Sequence, residues 1–274
     1  MTLLFGTAGI PDSTWPRDTG EGIRRIAALG LDCMEIEFVQ GVYLDEAHAK
    51  AVSGISKNNH VRLSVHAPYY INFNAHQRPK LHASKGILHK AAKTAHLCGA
   101  GSIVFHPGFY LGDDSETAYQ AIRTALGEVL EKLDEDLNPI TLRPEISGKP
   151  TQFGNLDELL RLSQELPRVA PCIDFAHWHA YSGGNNSYAE FCGLIREVRK
   201  KLGDAAIADM HIHISGIEYG KGGEKKHLSL RESDLKYEEL LQALKDESCG
   251  GMVICESPTQ QEDALLLKES YLKL

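Results

Sequence analysis

The chain has 274 residues, of which 42% are hydrophobic and 24% charged, with a net charge of −8; that is enough apolar volume for one eight-unit core without disulfide or metal staples. The acidic balance argues against a broad, sequence-independent grip on nucleic acid, which relies on many Lys and Arg neutralising phosphates, although two or three bound divalent cations would reverse the potential inside a pocket. Six scattered cysteines without a CxxC pair read as free buried thiols, and a start without a basic segment or a long apolar run reads as a cytoplasmic chain that spans no membrane.

In chain order, a first strand is expected at LLFG from Leu3, then an amphipathic helix, GEGIRRIAALG, from Gly20. CMEIEF from Cys33 and VRLSVH from Val61 are the second and third strands, followed by the helical stretch SKGILHKAAKTAHLCG from Ser84. SIVFH from Ser102 precedes a helix, SETAYQAIRTALGEVLEKL, from Ser115; ITLRPEI from Ile140 precedes another, LDELLRLSQEL, from Leu156. VAPCID from Val169, IADMHIHI from Ile207 and MVICES from Met252 complete eight strand candidates. Irregular structure is expected at 69–79, 109–114, 182–187 and 216–227. Alternation of this kind requires parallel strands joined by right-handed crossovers, and eight units predict a closed (β/α)8 barrel, a single domain over 1–274. No Gly-rich dinucleotide fingerprint follows the first strand, which removes the main open-sheet rival.

In such a barrel the chemistry sits at the carboxyl ends of the strands. There the sequence places His66, His106, Glu145, Asp174, His213 and Glu256, closing strands three to eight in turn. A lone strand-end His is more often a hydrogen-bonded structural residue. Six potential ligands in succession are different, because without a cation they would leave carboxylates and imidazoles crowded at one buried rim. Imidazole and carboxylate without clustered thiolates suit Zn2+ first and Mn2+ second.

The D-x-x-H step from Asp174 to His177 lets His177 reach the same mouth from the first turn of the following loop, with His179 as a supporting loop residue. His211 and His213 share a strand parity, so both point into the barrel; His213 is nearer the rim and is the expected ligand. The stretch GIEYGKGGEKKHLSL reads either as a solvated charged loop or as the source of a further metal site, with His227, with or without Glu224, joining His177 while Lys226 faces a phosphate. Glu37 ends the second strand within reach of the pocket, and Tyr69 and Asn72, just after His66, suit stacking on or hydrogen-bonding to a substrate.

The segments VHAPYYINF from Val65, FHPG from Phe105, PEISG from Pro144, CIDFAH from Cys172, MHIHIS from Met210, KHLSL from Lys226 and CESP from Cys255 resemble, in order, those of the endonuclease IV group of apurinic/apyrimidinic endonucleases, within the xylose isomerase-like barrel superfamily. The resemblance implies one zinc on His66, His106 and Glu145, and a second on Glu145, Asp174, His213 and Glu256, with Glu145 bridging. His177 and His227 would be two of the three ligands of a third. The family pattern has an Asp two residues before the last His; here that position is Lys225 and the nearest acid is Glu224. The opening GTAGIPDS and the second-strand loop FVQGVYL also depart, the latter lacking the Arg-containing stretch that enters DNA in the family.

The implied activity is a metal-dependent phosphodiesterase that cuts DNA 5′ to an abasic site as a monomer, with Glu145 and Glu256 as its catalytic carboxylates. The rival within the superfamily is a sugar isomerase or epimerase, with one Mn2+-type ion held by Glu145, Asp174, His213 and Glu256, and two glutamates moving a proton beside a carbonyl. Such an enzyme has no need of His66, His106 and His177 together.

Overall fold

The structure is a computed structural model describing residues 2–274. Its first half comprises β1 (Leu3–Ala8), α1 (Thr19–Ala28), β2 (Cys33–Glu37), α2 (Glu46–Asn59), β3 (Arg62–His66), α3 (Arg78–Leu97), β4 (Ser102–Phe105), α4 (Ser115–Glu135), β5 (Thr141–Pro144) and α5 (Leu156–Glu165). The second half comprises β6 (Cys172–Asp174), α6 (Phe175–Ser182), α7 (Tyr188–Leu202), α8 (Asp204–Ala208), β7 (Met210–Ile214), β8 (Gly216–Gly220), β9 (Gly223–Leu228), α9 (Tyr237–Asp246), β10 (Gly251–Cys255) and α10 (Gln260–Lys273).

Eight strands pair in the order β5-β4-β3-β2-β1-β10-β7-β6, every neighbouring pair parallel. Two isolated bridges, Leu142 to Val169 and Glu145 to Cys172, join β5 to β6 and close the cylinder. The result is a single-domain (β/α)8 barrel, with all eight expected strands in place. Strand alternation explains the layering: Met34 and Ile36 of β2 join the large core under the helices, whereas Cys33 belongs to a small separate cluster with Met252 and Ile254. Side chains at Asp18, Asp45, Asp114 and Asn155 cap the N-termini of α1, α2, α4 and α5, satisfying backbone donors that the first turn leaves free.

One stretch departs from expectation. Residues 216–227 are not irregular but form the antiparallel hairpin β8–β9, with Ile217 opposite His227 and Glu218 opposite Lys226. Its charged, glycine-rich strands hide the apolar alternation that marks the barrel strands. The hairpin packs on α6, and its tip is drawn onto the β5–α5 loop: Glu224 N donates to Gly148 O at 2.9 Å. Gly223 adopts a φ of +87°, and a Cβ there would lie 2.1 Å from Gly148 O, so only glycine permits this approach. His177 likewise sits on the helix α6, not in a loop. Among the described residues, no helix is long and apolar enough to cross a membrane.

Candidate metal centre

The parallel register brings the strand ends to one rim, and Glu145 stands at its middle. Its Oε2 lies 3.3 Å from His66 Nε2 and 3.3 Å from His106 Nε2. Its Oε1 lies 3.0 Å from His213 Nδ1 and 3.4 Å from His177 Nδ1. Glu256 Oε1 approaches His213 Nδ1 at 3.3 Å, and Asp174 Oδ2 approaches His177 Nδ1 at 3.2 Å. The rim side chains thus form three groups, each with donor atoms within 4.8 Å of one another: His66, His106 and Glu145; Glu145, Asp174, His213 and Glu256; and His177, Glu224 and His227; a fourth, of Cys172, His211 and His213, lies deeper in the barrel.

Outer contacts orient the imidazoles. His66 Nδ1 meets Ala67 O at 2.8 Å, His177 Nδ1 meets Ile146 O at 3.0 Å, and His227 Nδ1 meets Glu256 O at 3.1 Å. Each backbone oxygen calls for an N–H at Nδ1, which leaves Nε2 as the nitrogen directed into the cluster, the one that would offer its lone pair to a cation. The D-x-x-H spacing has a local cause, because Asp174 Oδ1 caps α6 by accepting from His177 N at 2.7 Å. The donor set fits cations on three counts. His177 Nε2 and His227 Nε2 face each other at 3.3 Å with Glu224 Oε2 3.6 Å from the former, so a proton between the two rings in the ion-free protein stands where a cation would sit. Asp174 Oδ2, which faces the four-residue group, is buried without a hydrogen-bond partner among the described residues. The ligand types, N and O only, are those of zinc or manganese.

Electrostatics point the same way. Burial pushes the Asp174 carboxyl up to about 7 and the Glu37 carboxyl up to about 8, and pushes His106 down to about 4. Burial works against charge on Glu145 as well, yet His106 and His213 beside it hold its carboxyl well below the usual range. His66, against the same desolvation, is raised to about 10 by its hydrogen bond to Glu145 and by Glu37. Protonated imidazoles therefore neutralise the rim's carboxylates in the ion-free protein, as divalent cations would in the loaded one.

A family model described as xylose isomerase-like TIM barrel matches residues 23–272. The chain belongs to that family. An uncharacterised protein of Methanocaldococcus jannaschii is 45% identical over 275 residues, covering 100% of this chain and 98% of the relative. A probable endonuclease 4 of Mycoplasma pneumoniae is 24% identical over 241 residues, 86% of this chain and 79% of that protein. Another, from Mesomycoplasma hyopneumoniae, is 33% identical over 139 residues, and there the chain spans about half of the relative, 48%. Among solved structures, endonuclease IV from Thermus thermophilus aligns with a TM-score of 0.75 at 18% identity, covering 100% of this chain and 99% of that one. A D-tagatose 3-epimerase-like protein aligns equally well, with a TM-score of 0.75 at 20% identity over 100% and 97% of the two chains. At such identities these two share the fold.

Within this xylose isomerase-like barrel, the eight expected ligand residues all reach the rim, and Glu224 joins His177 and His227. Tyr69 stands half-exposed at the mouth, edge-on to His66 with ring centroids 5.3 Å apart. Asn72 is engaged in the loop itself, its Oδ1 accepting from Asn74 N at 3.1 Å. Lys226 lies outside the cluster on the exposed side of β9, its Nζ 3.4 Å from Glu218. His179 meets Asp234 at 3.1 Å. Glu35 is a buried residue that strand-end reasoning passes over; its Oε2 lies 3.0 Å from His211 Nε2. The alternation in CMEIE carries the signal, since Glu35 and Glu37 share the barrel-facing parity of Cys33. Beside the rim, a cavity of 960 Å³ opens between β2, α1 and α2, with Ile10, Leu44 and Val52 among its walls and Glu37 and Gln260 lining it.

Proposed function

We propose that this chain is a metal-dependent phosphodiesterase of the endonuclease IV type, acting on DNA 5′ to abasic sites. The observation that carries the reading is the surplus of ligands: beyond the four-residue group, the rim holds His66, His106, His177, Glu224 and His227 in two further groups, with Glu145 shared between the first two. Bound ions, zinc first and manganese second, would supply charge for the phosphate oxygens and make a water acidic enough to attack. His66, His106 and Glu145 would hold the first, Glu145, Asp174, His213 and Glu256 the second, and His177, His227 and Glu224 the third, with Glu224 in place of the family's Asp.

The chain's own side chains then have distinct tasks. Glu145 belongs to both of the first two groups and would hold their ions side by side, where a phosphodiester could lie across them. Glu256, held down to about 2 by His213 against its burial, stays ionised and serves as a negative ligand at any working pH. Tyr69 offers an exposed ring for stacking on nucleotides flanking the lesion. Lys149, with Nζ 3.8 Å from Glu224 Oε2, supplies a cation beside the third group for a backbone phosphate. An abasic nucleotide enters cheaply because it has no base pair to break.

The test is incubation of the metal-quantified protein with a duplex bearing one abasic site. Scission 5′ to the site, lost in Glu145→Gln, supports the reading; intact duplex in the presence of three bound ions removes it. A second reading, a ketose epimerase using only the four-residue group, is favoured by the cavity beside the rim and by the pairing of Glu145 with Glu256 in that group. It predicts exchange of a substrate carbon-bound proton with heavy water and indifference to loss of His177 or His227.

A further inference from the structure

Below the rim, four strands contribute polar side chains to one buried column. Ser64 Oγ of β3 donates to Glu35 Oε2 of β2 at 2.7 Å. His211 Nε2 of β7 lies 3.0 Å from the same oxygen, and Ser102 Oγ of β4 lies 3.4 Å from His211 Nδ1. The other carboxylate oxygen, Glu35 Oε1, is 3.0 Å from His213 Nε2. Glu35, Ser64 and His213 are fully buried, at 0% exposure. An ionised carboxylate is a costly group to place at the centre of a barrel unless every contact serves its charge, and here three donors converge on its two oxygens.

His213 shows what the column is for. Its Nδ1 faces Glu145 and Glu256 at the rim, while its Nε2 points down to Glu35. An imidazole that offers the Nδ1 lone pair to a cation keeps its remaining proton on Nε2, and that proton needs an acceptor. Among the described residues, Nε2 has no aligned hydrogen-bond partner, and Glu35 Oε1 is the carboxylate oxygen in contact with it. A glutamine could not replace Glu35 without turning its NH2 against a donor, from Ser64 and His211 on one side or from His213 on the other.

We propose that Glu35 is a positioning residue for the metal centre: it fixes His213 with its proton on Nε2 and its Nδ1 free, and it places a permanent negative charge beneath the group Glu145, Asp174, His213 and Glu256. That group thereby holds its ion more tightly than the group of His66, His106 and Glu145, where the outer nitrogen of His66 rests on a neutral backbone oxygen, that of Ala67. The proposal rests on His213 being a metal ligand, and the two can fail separately.

The experiment titrates zinc into metal-stripped wild-type protein and Glu35→Gln, with bound metal counted by mass spectrometry and the His213 ring tautomer read by long-range ¹H–¹⁵N correlation. The expected result is a loss of about 10- to 100-fold in affinity at one site only, the usual effect of removing a ligand's outer partner, together with loss of the single Nε2–H tautomer. Wild-type protein that binds no zinc overturns the metal reading itself. Wild-type protein that binds zinc while Glu35→Gln binds it equally, with the same tautomer, overturns the role of Glu35 alone. If Glu35→Gln does not fold, Glu35→Asp, which keeps the charge but withdraws it by one methylene, takes its place: the same one-site weakening is expected, and unchanged affinity overturns the proposal.

Discussion

Asp174→Asn separates two tasks carried by one carboxylate. Asp174 is fully buried; its Oδ1 caps α6 through His177 N, and its Oδ2 has no hydrogen-bond partner among the described residues. Asparagine caps a helix as well as aspartate does, so the variant keeps the cap and loses the charge. In the metal-free protein burial raises this carboxyl from 3.8 to about 7. An acid whose folded pKa is raised costs stability as pH climbs through that window, fully so above it. Metal-free Asp174→Asn is therefore expected to melt at or above the wild-type temperature in alkaline buffer, whereas Asp174→Ala, without a cap, forfeits about 1 kcal/mol. With zinc the order reverses. An ion at 100 times its Kd stabilises the folded state by about 2.7 kcal/mol, and a domain of this size shifts about 2–4 °C per kcal/mol, so losing one ion lowers Tm by about 5–11 °C. Calorimetry with chelator and with zinc, beside metal counting, checks both signs. Equal metal content and an equal zinc-induced rise in Tm would refute the placement of Asp174 in the centre.

Four further outcomes are expected. Glu224→Ala should lose one ion of the set while the other two stay, and Glu224→Asp should keep it, as counted by mass spectrometry on dialysed protein. Gly223→Ala, whose new Cβ would strike Gly148 O, should cost about 1–3 kcal/mol by thermal melting and weaken the His177, Glu224 and His227 group at the same time. Zinc binding near neutral pH should release protons, because His66 is raised to about 10 in the ion-free protein and must shed its charge to ligate; calorimetry in buffers of different ionisation enthalpy measures this, and apparent affinity should fall as pH falls. Tyr69→Ala should weaken binding of an abasic duplex by about 1–3 kcal/mol with metal content unchanged, measured by titration with labelled DNA.

Much of this molecule could be read from its residues. The eight strands announced themselves because both faces of a barrel strand are covered, giving dense runs such as SIVFH and MVICE. Their ends carried the candidate ligands, since strand polarity alone fixes which terminus meets the mouth. The hairpin was opaque for the opposite reason: β9, reading GEKKHL, has only its first residue buried, so no apolar period betrays it. With the hairpin hidden, the position of Glu224 could not be fixed, because only the pairing of β8 with β9 and the contact at Gly148 decide which side chains turn toward His177. Glu35 was legible by parity but overshadowed by ligands at the rim. Asn72 and Lys226 show the limit of proximity in sequence, as each lies near the mouth but spends its polar atoms on neighbouring loop or hairpin groups.

The join between β5 and β6 gives the rim a mechanical meaning. Only two isolated bridges close the cylinder there, and one of them is made by Glu145 with Cys172, two residues before Asp174. Glu145 and Asp174, which lie on opposite sides of this seam, both belong to the four-residue group. An ion shared by those two carboxylates, as proposed, would also act as a clasp on the hoop, drawing together two staves that backbone pairing pins at only two bridges.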